Sequence, residues 1–89
     1  MKAVITVTGK DNVGIIAKVS SLCSKYEANI LDISQTVLQD YFAMMMLVDV
    51  SELNVNFGDV SDAMSKLGSD NNLIINTMHE DIFNSMHRI

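Results

Sequence analysis

Polar and apolar positions alternate from Lys2 to Thr8. Ala3, Ile5 and Val7 fall on one side, and Val4, Thr6 and Thr8 on the other. Most of these residues are β-branched, so the segment is predicted to be a strand. Gly9 breaks it, and Asp11 and Asn12 are both candidate N-caps for the next element. From Val13 the period becomes helical. Ile15, Val19, Leu22 and Tyr26 form one stripe, with Ile16 and Cys23 beside it, and the helix should end near Glu27. Asn29 to Leu38 returns to a strand pattern with Leu31, Ile33 and Val37 on one face. Gln39–Asp40 looks like a tight turn. Tyr41 to Val50 is the strongest strand, with Phe42, Met44, Met46, Val48 and Val50 on one side. Its other side carries Ala43, Met45 and Leu47, so this strand is expected to be central and covered on both faces. Asn54 to Leu67 holds a helical stripe of Val60, Ala63, Met64 and Leu67, and Gly68 stands where a terminating glycine would. Leu73 to His79 is the last strand. Asp81 to Ile89 is expected to be a short helix with Ile82, Phe83, Met86 and Ile89 on one side.

The order β-α-β-β-α-β plus a tail helix, joined by right-handed crossovers, predicts an α+β fold. It is a ferredoxin-like sandwich of four antiparallel strands with two helices on one face. No proline, low-complexity tract or convincing repeat interrupts it. We expect one domain over residues 1–80 and a helical tail over 81–89. The open sheet face would carry Met45 and Leu47, and either the tail helix or a second copy would have to cover it. Strand 2 is the expected edge for pairing between chains.

Composition narrows the functions. The chain has 89 residues, is 48% hydrophobic and has a formal net charge of −5. A domain this small buries only about 60% of its unfolded surface, so association would help its stability. With five lysines and a single arginine, Arg88, direct nucleic-acid or anionic-membrane binding is disfavoured. No aromatic pair forms an RNA-stacking platform. The first turn lacks the paired cysteines of a copper carrier and the arginine of an acylphosphatase-like enzyme. The lone Cys23 is expected to be a buried small hydrophobe. His79 and His87 lie eight positions apart and are expected to be surface histidines, so no metal or other cofactor is expected. Ser20, Ser21 and Ser24 have no nearby histidine, so no nucleophile–base pair assembles and no enzyme activity is expected. Lys10 and Asp11 cut the first apolar run short of a signal peptide, and no stretch approaches a membrane span. A cytoplasmic location follows by default.

What remains is the turn Thr8-Gly9-Lys10-Asp11-Asn12-Val13-Gly14-Ile15-Ile16. Glycine at a helix start costs about 1 kcal/mol against alanine, which makes sense if something approaches the backbone closely. The N–H groups around Gly14 and Ile15 would hold a carboxylate, and Asp11 could pair with an ammonium. Together they would read the two ends of a free amino acid. The same residues also fit an ordinary turn with Asp11 as N-cap, and spacing alone does not choose.

The stretch from Val7 to Val19, followed by Ala28-Asn29-Ile30-Leu31-Asp32-Ile33-Ser34-Gln35, resembles the ACT domain. More narrowly, it is similar to small stand-alone bacterial ACT proteins of the UPF0237 kind and to glycine-cleavage-system regulators. The resemblance covers roughly residues 1 to 80. It implies a non-catalytic regulatory module that binds a small molecule, commonly an amino acid, at a homodimer interface. By resemblance the ligand would meet Asp11, Asn12, Val13, Gly14 and Ile15 in the first turn, and Asn29 and Ile30 at the opening of strand 2. The proline usual before the glycine is Val13 here, which loses rigidity but no hydrogen-bonding group. The alternative is a protein-interaction module without a metabolite, acting through the Met44-Met45-Met46 run or the tail.

Overall fold

The structure is a computed structural model that describes residues 1–10 and 14–86. Its elements are β1 (Lys2–Gly9), α1 (Ile15–Lys25), β2 (Asn29–Leu38), β3 (Tyr41–Asp49), α2 (Phe57–Asp70), β4 (Ile74–His79) and α3 (Glu80–Met86). The strands form one antiparallel sheet in the order β2-β3-β1-β4. This is the expected ferredoxin-like βαββαβ sandwich with a C-terminal helix.

Strand alternation sends Ala3, Ile5 and Val7 of β1 into one cluster with Phe42, Met44, Met46 and Val48 of β3. Ile15, Val19 and Cys23 of α1 and Val60 and Met64 of α2 close that cluster from the other side. Ile5, Met46, Val19 and Met64 are completely buried, and each such side chain contributes about 1.5–3 kcal/mol by leaving water. The methionine run splits by strand geometry. Met44 and Met46 enter the core, while Met45 points to the open face and stays 44% exposed.

Several boundaries differ from the pattern-based expectation. The first helix starts at Ile15, not Val13, because Gly14 is its N-cap in the left-handed region, φ 73°. Asp11 and Asn12, the expected N-caps, lie outside the described residues. The helix ends at Lys25, with Tyr26 as C-cap and Glu27 at φ 60°. The second helix begins at Phe57, after an Asn56 N-cap, and runs through Gly68 to Asp70. Gly68 is thus an interior, buried residue and not a terminator. A Cβ there would lie 2.8 Å from the Leu73 carbonyl oxygen and 3.0 Å from Ile75 Cγ1. The glycine lets the helix end approach β4 closely.

β3 is central, as expected, but its second face is covered only in part: Ala43 and Met45 are exposed there, while Leu47 is half-buried beside α3. β2 is the edge, and its side chains are exposed from Leu31 to Leu38. Its pairing with β3 slips between Ile30 and Asp32, leaving Leu31 out of register with Ile33 and Val37. Ile33 and Val37 face the helical side, yet Val37 is 62% exposed. The last strand begins at Ile74 and passes into α3 without an intervening loop. In α3 Glu80 and Phe83 are half-buried, whereas Ile82 and Met86 are exposed. Of the expected apolar stripe, Phe83 is packed and Ile82 and Met86 are not. Ile89 and His87 lie outside the described residues. His79 is not a plain surface histidine: it is half-buried and stacked on Phe57, with ring centroids 4.0 Å apart.

Candidate functional site

β1 delivers the chain to the top of the sheet, where Gly9 pairs with Phe42. A Cβ on Gly9 would collide with the Leu73 side chain, so the strand end sits tight against the α2–β4 turn. Asp11, Asn12 and Val13 lie outside the described residues. Gly14 comes next, exposed, with φ 73° and ψ 0°. That conformation itself explains the glycine, since L side chains rarely adopt it. Among the described residues, a Cβ there would meet nothing within 4 Å.

The first bond of α1 runs from the Lys18 N–H to the Gly14 carbonyl, at 3.0 Å. By helix geometry the N–H groups of Ile15, Ile16 and Ala17 have no intrahelical acceptor. They mark the positive end of an 11-residue helix. The Ile15 side chain is buried, so a ligand could meet only its backbone. Ile15 anchors the helix start to the core and holds those N–H groups in place.

Asn29 is exposed at the start of β2. Ile30 is half-buried and packs on the core, so its role within the chain is packing. The two halves of the expected site are far apart in one chain. Asn29 pairs with Asp49, and Asp49 also pairs with Lys2. Gly9 and Phe42 mark the other end of the same ladder. Seven strand steps at about 3.3 Å separate the ends by about 23 Å. A single chain does not bring Asn29 to the turn at Gly14.

The Asn29 end is satisfied internally. The Met1 ammonium donates to Ser51 Oγ at 2.7 Å and lies 3.9 Å from Asp49 Oδ1. The Ser51 N–H donates to the same carboxylate at 2.9 Å. Hydrogen bonds from the Ser51 hydroxyl and N–H, with help from the N-terminal charge and Lys2, hold the Asp49 carboxyl below its ordinary value. Among the described residues, no cluster of three His, Cys, Asp or Glu could hold a metal ion, and no helix is long and apolar enough to cross a membrane.

The turn end has a feature that pattern reading missed. A cavity of about 430 Å³ opens on the uncovered face, lined by Thr8, Lys10, Thr36, Leu38, Tyr41 and Ala43 among others. The Lys10 ammonium stands 5.6 Å from the centre of the Tyr41 ring. Leu38 and Tyr41 flank the β2–β3 turn, and two bulky apolar residues beside a tight turn were the available signal.

The comparisons agree with this architecture. The model of the ACT domain family matches residues 2–77. A UPF0237 protein of Clostridium acetobutylicum is 51% identical over 89 residues, covering all of both chains. A UPF0237 protein of Methanopyrus kandleri is 47% identical over 88 residues, or 99% of this chain and 98% of that one. Among solved structures, an ACT domain protein from Streptococcus pneumoniae superposes with a TM-score of 0.80 at 43% identity, covering 93% of each chain. A putative glycine cleavage system transcriptional repressor gives a TM-score of 0.71 at 27% identity, over 85% of this chain and 43% of that one. By its fold, its register and these full-length relatives, the chain belongs to the ACT domain family.

Proposed function

We propose that this domain is a non-catalytic sensor that binds a small molecule, such as a free amino acid, at the seam between two copies of itself. The ligand would sit against the Asp11–Ile15 turn of one copy and Asn29–Ile30 of the other. The supporting observation is that Asn29 and Gly9, which leads into the turn, lie at opposite ends of the sheet, about 23 Å apart along the strands. A ligand of amino-acid size cannot span that distance. Antiparallel pairing of two β2 edges about a twofold axis would oppose the start of one strand to the end of the other. One copy's Asn29 would then stand beside its partner's turn. The N–H groups of the first turn of α1 suit a carboxylate, and Asp11 and Asn29 would supply polar partners for the ammonium and its surroundings. On this reading the domain works in the cytoplasm, where free amino acids are available to be sensed.

A thermal-shift series with the twenty amino acids tests this. A ligand at a hundredfold excess over its Kd stabilises by about 2.7 kcal/mol. For a domain of this size each kcal/mol is worth roughly 4–8 °C in Tm. One or a few amino acids should raise Tm, and Asn29→Ala should abolish the shift without lowering the unliganded Tm, because the side chain is exposed. If no amino acid moves Tm at millimolar concentration, the ligand reading fails.

A further inference from the structure

The open face of the sheet is uneven. Its lower half, toward Lys2 and Asp49, is raised by α3, which lies over Val4 beside a cavity of about 420 Å³ reaching Asp32, Met45 and Leu47. Its upper half is bare. There Leu38 is 69% exposed, Tyr41 55% and Ile74 65%, around the hollow beside the Tyr41 ring. Ridge and hollow thus occupy opposite ends of one surface.

The ridge also carries what the hollow lacks. α3 presents Ile82 and Met86 to solvent, and its first turn is acidic, with Glu80 and Asp81. The hollow is apolar and its rim carries the ammonium of Lys10. Two such faces are self-complementary under a twofold axis lying between them and across the strands. Each copy's α3 then enters the other's hollow, with Glu80 and Asp81 near the opposite Lys10. The molecule is broad and thin, 36 × 34 × 19 Å. A face of that breadth can bury the roughly 800 Å² per partner that stable interfaces need.

We propose that the open face docks a second copy of this chain, α3 into hollow. This interface is separate from the β2 edge, so a chain using both would form a tetramer. Light scattering of the full chain over a concentration series provides the test, with far-UV circular dichroism confirming that each variant folds. Ala43 is exposed in the middle of the bare half, and Ala43→Arg should lower the assembled mass by half. Lys10→Glu should weaken association at least tenfold, and adding Glu80→Lys and Asp81→Lys should restore it. Val37→Lys reports on the β2 edge instead, so loss of one interface is distinguishable from loss of the other. A monomeric wild type overturns the proposal. So does an assembly whose mass Ala43→Arg leaves unchanged, which would mean that the bare half serves some other partner. Failure of the charge reversal to restore association overturns it as well.

Discussion

Two glycines show how the same residue answers different demands. Gly14 is required by its backbone, at φ 73°, and no described residue would crowd a Cβ there. Gly14→Ala should therefore destabilise by about 1–2 kcal/mol through conformation alone, and Gly14→Asn by less, since Asn tolerates that region. Gly68 is required by its neighbours. Alanine there gains about 1 kcal/mol in helix propensity but forces a Cβ against backbone of Leu73 that cannot swing away. Overpacking of that kind costs about 1–3 kcal/mol, so Gly68→Ala should be destabilising despite the better helix former. Urea melts of both variants check the pair, and a stabilised Gly68→Ala would contradict the close approach. Cys23 makes a further residue-level prediction. Burial pushes its thiol from 9.0 up to about 11. The thiol should resist alkylation at neutral pH in the folded protein and react once denatured. Because the folded-state value is raised, the stability linked to Cys23 is complete below pH 9 and is lost as the pH rises toward 11. Parallel melts of wild type and Cys23→Ala should therefore show wild type losing more stability across that interval.

At the scale of elements, exposure divides the fold into strong and weak parts. β1 and β3 lie inside the sheet and carry most of the fully buried side chains. α3 has seven residues and buries none of them completely, and a helix that short is marginal without packing. Hydrogen exchange should find α3 opening first and β1 and β3 last, with exchange at β1 tracking global unfolding. Slower exchange in α3 than in β2 would contradict this order. The same contrast explains what the sequence made legible. Every strand and helix was visible, because periods of 2 and 3.6 are local properties of the chain. Burial of β2 was not visible. Ile33 and Val37 alternate just as Ile5 and Val7 do, but β2 lies at the sheet edge and its side chains stay exposed, a fact of strand order and not of pattern. Gly68 was misplaced for a related reason. Its signal as a terminator is local, whereas its actual constraint comes from Leu73 and Ile75 folding back on it. In the candidate site, Gly14 and Asn29 could be singled out one at a time, through the helix start and the family resemblance. Their distance could not, since it follows from the registers of β1 and β2 against β3.

At the scale of the whole molecule, the governing facts are a small core and a long free edge. An 89-residue chain buries a smaller share of its surface than larger domains do, and its isolated stability is correspondingly limited. Yet it leaves the outer side of a ten-residue edge strand without a neighbouring strand, with backbone donors and acceptors ready to meet another strand. Association at that edge would convert both liabilities into stability, and mass action then ties Tm to protein concentration. Tm should rise measurably when the protein is concentrated a hundredfold, in the absence of any added ligand. Val37→Lys is the informative variant. The side chain is 62% exposed in the single chain, so a lysine there costs the isolated fold little. In an antiparallel β2–β2 pair with Asn29 opposite Leu38, however, each lysine would stand against the other copy's Ile30 on the helical side of the seam, and burying its charge there would cost the pair stability. The variant should match wild type at low concentration and lose most of the concentration dependence. Sedimentation equilibrium on the same samples should show a lower mass. If wild-type Tm does not change with concentration, the single chain is self-sufficient and the edge is not a seam. If Val37→Lys instead melts well below dilute wild type, the residue is supporting the fold of one chain, and the free edge in this structure is less free than it looks.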